Sequence, residues 1–272
     1  MAKGMFVDTS VCIGCKACQV ACKEWNELEG EPTHFREVDG QLKAVNFTGN
    51  SYDNTGRLTA TNWRHVRFIE NIAADRSSVA WYMMSDSCKH CNQAGCLEVC
   101  PTHALMRTEL GNVIVQQDVC NGCRACIPAC PFGVISYNER TGRVNKCTLC
   151  DDRIHIGLET ACAKACPTDS IVFGEVEELR LVARQRVEAL KQLGFEKAQI
   201  YGEEDILGGL NVFYLLLDDP QVYGQPVSPR LPQAKLVPES LLSIGTAAVL
   251  GLASIIVFRE RGTSTSEPSK EV

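Results

Sequence analysis

Cys12-Ile13-Gly14-Cys15-Lys16-Ala17-Cys18-Gln19-Val20-Ala21-Cys22 opens the chain's first recurring motif. Three thiols stand at every third residue, and a fourth follows after three intervening residues. A chain winding around one small object can present a side chain to it at this interval, and Gly14 lets the backbone come close. The motif recurs as Cys120, Cys123, Cys126 and Cys130, followed by Pro131. A variant, Cys88, Cys91, Cys96 and Cys100 before Pro101, widens the middle gap and supplies Gly95. The last, Cys147, Cys150, Cys162 and Cys166 before Pro167, carries an insertion between its halves. These motifs use all 16 cysteines of the chain.

Runs of three plus a displaced fourth match the ligation of 4Fe-4S cubes, and four sets with none left over give four clusters. Eight disulfides would need an exported chain with a secretory signal, and Met1 to Asp8 has no apolar stretch of that kind. Zinc also takes four thiolates, but its sites usually come as two Cys-x-x-Cys pairs. Buried structural thiols would not cluster in this way.

The prolines suggest which thiol serves which cluster. Proline disfavours helix in the residue before it, so Cys100, Cys130 and Cys166 stand where the chain leaves a short helical turn. By the rule of two-cluster ferredoxins, the last cysteine of each run ligates the neighbouring cube. The inner motifs then give Cys88, Cys91, Cys96 with Cys130, and Cys120, Cys123, Cys126 with Cys100. The outer motifs give Cys12, Cys15, Cys18 with Cys166, and Cys147, Cys150, Cys162 with Cys22. The expected fold is α+β: two nested ferredoxin-like two-cluster units over residues 1–174, with a β-rich insertion at 23–87.

A net charge of -6 leaves no basic footprint, so nucleic acid is not an expected partner. Thiolate-bound clusters add negative charge, and each motif carries a base that could offset it: Lys16, Lys89, Arg124, and Lys146 with Lys164. His90 lies inside a cysteine loop and reads as an ordinary loop residue; the five histidines show no ligand spacing.

Within the insertion, residues 40–47 and 63–70 alternate like strands around a loop at 49–56. Trp25, Trp63 and Trp81 read as core or interface fillers. Turns at Leu110-Gly111 and Thr141-Gly142 mark two small hairpins, and Ser170 to Gly174 begins a third copy. Residues 175–235 form an extension: an apolar helical stripe from Val176 to Leu193 stopped by Gly194, two strands at 197–201 and 211–217, and a proline-rich linker from Pro226 to Pro238.

Leu241 to Phe258 is a run of 18 uncharged residues. At a rise of about 1.5 Å per residue it covers about 27 Å, close to a bilayer's hydrocarbon core. A single transmembrane helix is expected at 236–259, with a polar tail at 260–272. Ser243, Ala247, Gly251 and Ser254 form a small-residue stripe. Arg259, Arg261 and Lys270 favour a cytoplasmic C-terminus, which puts the cluster domain in the periplasm. Clusters are inserted before export, and no twin-arginine run is present, so export requires a companion chain.

The run Phe6-Val-Asp-Thr-Ser-Val-Cys12 through Cys22-Lys-Glu-Trp-Asn26, the run Cys147-Thr-Leu-Cys-Asp-Asp-Arg153, the helix before Gly194 and the terminal span together resemble the iron-sulfur (beta) subunit of membrane-bound respiratory formate dehydrogenase. Nitrate reductase relatives typically carry tryptophan for one cysteine of the third motif; here Cys123 is present. The resemblance implies a non-catalytic electron-transfer subunit in the inner membrane. A molybdopterin alpha subunit, with molybdenum or tungsten, would oxidise formate; four clusters would carry the electrons; a cytochrome b gamma subunit would pass them to quinone. The residues agree in offering no nucleotide-binding glycine loop and no nucleophile with a companion base. Two other readings stay open: the iron-sulfur subunit of a hydrogenase, polysulfide or other molybdopterin complex, and a structural zinc protein.

Overall fold

A computed structural model describes residues 1–30, 34–38, 40–45, 53, 56–72 and 75–264. The chain divides into two units, Met1–Arg230 and Leu231–Val272.

In the first unit the N-terminal strand pairs with a strand from the unit's last part. β1 (Lys3–Asp8) leads into α1 (Ala17–Trp25), which carries Cys18 and Cys22. The hairpins β2 (His34–Val38) with β3 (Gln41–Val45), and β4 (Arg64–Ile72) with β5 (Val79–Ser87), follow. Most of the loop expected at 49–56 lies outside the described residues. β4 and β5 pair over nine positions, from Arg64 opposite Ser87 to Ile72 opposite Val79. The base of this hairpin is buried at Arg64, His65, Val66, Met84 and Ser85, whereas Ile72, Val79 and Trp81 at its far end are exposed.

The second and third cysteine motifs are framed by short elements: α2 (Gly95–Glu98), β6 (Leu105–Arg107), β7 (Val113–Val115), α3 (Cys126–Ala129), β8 (Ser136–Asn138) and β9 (Arg143–Asn145). The expected turns close the β6–β7 and β8–β9 hairpins. Apolar residues of these hairpins, Leu105, Val113, Val134, Ile135 and Val144, pack with Cys88, Cys126 and Cys147 in one buried cluster. The thiols therefore belong to the core. α4 (Asp151–His155) and α5 (Ala161–Lys164) carry the last motif.

β10 (Ile171–Glu175) is followed by α6 (Val176–Gln192), β11 (Gln199–Tyr201) and β12 (Val212–Leu216). The segment expected to start a third hairpin copy does not do so: β10 pairs antiparallel with β1, in the sheet order β10-β1-β12-β11. β12 runs parallel to β1, with Phe6 opposite Phe213, and Thr9 donates its hydroxyl to the Leu215 carbonyl at 2.8 Å. Every residue of β12 is fully buried, as an apolar run in a central strand should be. Each such side chain contributes about 1.5–3 kcal/mol by leaving water.

α6 rests Val176, Leu179, Ala183 and Leu190 on the body, and Gly194 ends it at φ 94°. The stripe read from sequence is only partly covered, since Val182 and Leu193 stay exposed.

The second unit holds α7 (Gln233–Ser264). Helix begins five residues before Pro238, inside the stretch read as a linker. Proline lacks the N–H for one helical bond, and the turns on either side carry the helix past it. Its apolar stretch Leu241–Arg259 is exposed and long enough to cross a bilayer. Thr246 and Ser254 donate their hydroxyls to Leu242 and Leu250 at 2.8 and 2.7 Å, so both polar groups are satisfied within the helix.

Candidate metal centres

All sixteen cysteines are free thiols. Cys12, Cys15, Cys18 and Cys166 line one pocket, open to solvent, together with Ser85 and Ser170. Its wall is the loop before α1, where Gly14 at φ 67° and Lys16 at φ 63° turn the backbone left-handed. A Cβ on Gly14 would stand 2.7 Å from the Phe68 ring. Burial pushes the Cys12 thiol up, partly offset by the Gly14 backbone and the Ser170 hydroxyl. Burial carries Cys18 up to about 11.

A second group forms where α1 ends. Burial raises Cys22 well above the usual thiol range, and Cys147, Cys162 and Cys150 push it the same way. Cys147 is carried up to about 11 and Cys150 to about 12, in both cases chiefly by burial. Leu149 and Cys150 are consecutive left-handed residues, which lets the Leu149 N–H approach Cys147 Sγ at 3.4 Å. The third group sets Cys91 beside Cys88, Cys130 and Cys96, and the fourth sets Cys126 beside Cys100, Cys120 and Cys123. Burial takes Cys96 to about 12 and Cys126 to about 11. Cys100 is lowered: its modest burial opposes the shift, and backbone N–H groups with the Thr102 hydroxyl outweigh it.

Neighbouring groups lie near enough to influence one another electrostatically. Cys18 of the first feels Cys162 of the second. Cys147 of the second feels Cys88 of the third, and Cys96 of the third feels Cys126 of the fourth.

Raised thiols of this kind need something that stabilises the thiolate, and bound iron does so. The spacing also speaks to which metal. Four sulfurs around one zinc would lie about 3.8 Å apart, from a Zn–S bond of about 2.3 Å. Among the described residues, which include every cysteine, no three His, Cys, Asp or Glu side chains converge on one ion position. A cube separates its four thiolates further and takes one thiolate at each iron, which suits sets of four cysteines such as these.

The bases named from sequence take different roles. Lys89 is buried and donates to Asp86, to the Ser87 carbonyl at 3.1 Å and to Tyr214 at 3.1 Å, so a carboxylate already answers its charge. Lys16 stands 3.6 Å from Asp53, and Lys164 pairs with Glu159 at the surface. Arg124 lies over the Tyr137 ring at 3.6 Å. Lys146 is buried and donates to the Val113 and Cys147 carbonyls, and it holds down the burial-raised thiol of Cys96.

Two residues of the site were passed over in sequence. His90 is fully buried rather than a surface loop residue. Its Nδ1 accepts the Val113 N–H at 3.0 Å, which leaves the proton on Nε2, a buried donor without a partner. Arg64 is 1% exposed at the base of the β4–β5 hairpin. The only signal was a cation on the inward face of an alternating strand.

Residues 11–104 and 79–176 each match a 4Fe-4S dicluster domain. Over 271 residues the sequence is 38% identical to the nitrate-inducible formate dehydrogenase iron-sulfur subunit of Escherichia coli, covering 98% of this chain and 86% of that one. The chain belongs to the family of formate dehydrogenase iron-sulfur subunits. A formate dehydrogenase iron-sulfur subunit of Haemophilus influenzae is 40% identical over 268 residues, 96% of this chain and 81% of the relative. Outside this family, one subunit of the anaerobic dimethyl sulfoxide reductase of Escherichia coli is 37% identical over 177 residues, 65% of this chain and 75% of that one. The likeness to the formate dehydrogenase iron-sulfur subunits thus takes in the extension and the terminal helix as well as the cysteine motifs.

Proposed function

We propose that each of the four thiol groups holds one 4Fe-4S cluster and that the chain relays electrons from a pterin-bearing catalytic subunit, with molybdenum or tungsten, to a membrane cytochrome b and quinone. The observation that carries this is the first group, where Cys12, Cys15 and Cys18 of the first run share one solvent-open pocket with Cys166 of the last. Bound clusters supply one-electron carriage at potentials set by their surroundings. The protein's part is to order the sites. Its loops fix three thiols at short range, and Cys22 within α1, together with Cys100, Cys130 and Cys166 beyond short helical turns, each supply a thiol to a neighbour. The resulting order runs from Cys12, Cys15, Cys18 and Cys166, through Cys22, Cys147, Cys150 and Cys162, then Cys88, Cys91, Cys96 and Cys130, to Cys100, Cys120, Cys123 and Cys126.

This reading nests one two-cluster unit within another, since the first two groups draw on the first and last motifs and the other two on the middle ones. Residues 1–174 form the cluster domain with its insertion at 23–87, and 175–235 form an extension whose strand β12 supports β1. The helix over Leu241–Arg259 anchors the chain in the inner membrane, with the cluster domain on the periplasmic side. The subunit itself is non-catalytic.

Anaerobic purification from membranes tests the proposal. A pterin-bearing chain and a cytochrome b should co-purify, and formate should reduce the clusters. Co-purification with a hydrogenase or polysulfide reductase subunit, and no reduction by formate, would assign the relay to another complex.

A further inference from the structure

We propose that Arg64 is a fixed counter-charge shared by the first two thiol groups, and that its guanidinium raises the reduction potentials of the two clusters they hold. This rests on the four-cluster reading above.

The geometry of one side chain makes the link. Arg64 donates from Nη1 to the Ser85 hydroxyl at 2.9 Å and from Nη2 to the Ser87 hydroxyl at 3.1 Å. Ser85 Oγ stands 3.2 Å from Cys18 Sγ and lines the cavity of the first group. The same Nη2 lies 3.7 Å from Met5 Sδ, which is itself 3.6 Å from Cys162 Sγ in the second group. Two short contacts therefore connect this guanidinium to a thiol of each group.

Nothing else offsets its charge. Nε is buried with no hydrogen-bond partner, and among the described residues no carboxylate pairs with Arg64. A guanidinium keeps its proton inside proteins. Holding one at 1% exposure without a counter-ion would cost more than the fold can supply. The groups near it that can carry negative charge are Cys18, Cys162, Cys147 and Tyr214, and Cys22 also senses it. Lys89, by contrast, spends its charge on Asp86.

Reduction of a cluster adds one electron and one unit of negative charge. A nearby fixed cation stabilises that state, so it favours reduction. The fourth group, built on Cys126, has no contact with Arg64 among the described residues and should not respond. The third is joined to it through the backbone alone, by the Ser87 hydroxyl at 3.4 Å from the Cys88 carbonyl, and should respond less than the first two.

Potentiometric titration of the anaerobically purified full complex, followed by paramagnetic resonance, tests this on Arg64→Gln and Arg64→Lys. Removing the charge should lower the one-electron reduction constant of the first two clusters at least tenfold, a shift of about 59 mV downward, move the third by less, and leave the fourth in place. Arg64→Lys should restore most of the shift. If Arg64→Gln loses iron, Arg64→Lys must keep it; a lysine variant that also loses iron would show that shape, not charge, is required and would overturn the proposal. So would four unmoved potentials in iron-replete Arg64→Gln. Wild-type complex lacking four clusters would instead overturn the reading on which the proposal rests.

Discussion

The Lys89 ammonium donates to the Asp86 carboxylate, and both side chains are 2% exposed or less. Burial alone would raise the Asp86 carboxyl, yet Lys89 and Arg67 together hold it below the usual range. Such a pair adds little stability over an apolar one of equal size, but half of it left alone is costly. Lys89→Met leaves Asp86 with Arg67 at 3.0 Å and should destabilise the folded chain by less than the roughly 3–5 kcal/mol of a fully orphaned buried charge, read as a lowered thermal midpoint. The double variant Asp86→Leu with Lys89→Met should recover most of that loss.

Gly122 sits at φ 71°, and a Cβ there would stand 2.1 Å from the Gly142 carbonyl oxygen. Neither atom is a movable side-chain end. Gly122→Ala should therefore distort the Cys120 to Cys126 loop and cost the fourth group its cluster, roughly four of sixteen irons. Iron analysis of the purified variant checks this; full iron would place the loop elsewhere.

The exchange of last cysteines predicts which resonance signals move together. Cys166→Ser should alter the same signal as Cys15→Ser, and Cys22→Ser the same signal as Cys150→Ser. If Cys166→Ser instead matches Cys150→Ser, each run keeps its own fourth ligand.

His155 accepts an exposed but defined setting. The Asp151 carbonyl and then the Glu109 carboxylate raise it above its ordinary value, with Nε2 at 2.8 Å from Glu109. A raised folded value means that the contribution to stability is complete below the unfolded value near 6.5. It is lost as pH rises through the folded one. Proton resonances of His155 should titrate above 6.5, and Glu109→Gln should lower that midpoint.

The cysteine motifs were legible because three of each four thiols come from one local run, whose spacing the two matching dicluster domains share. The hairpins at Gly111 and Gly142 were legible through their turns for the same reason. What sequence did not convey is long-range. β12 reaches β1 across more than two hundred residues, and only its uninterrupted apolar character hinted at a central strand. Arg64 was overlooked because a charged residue in a hairpin strand normally faces water, and its burial depends on Ser85, Ser87 and Met5 meeting around it. His90 reads from sequence as an ordinary loop residue, and its burial depends on the Val113 N–H meeting its ring. Helix α7 starts earlier than the prolines suggested, since Pro238 interrupts one bond without stopping the turns around it.

Iron and acid-labile sulfide in the anaerobically purified chain measure the central claim most directly. About sixteen of each per chain is the result expected for four cubes on sixteen cysteines. About four zinc ions with no sulfide would contradict it.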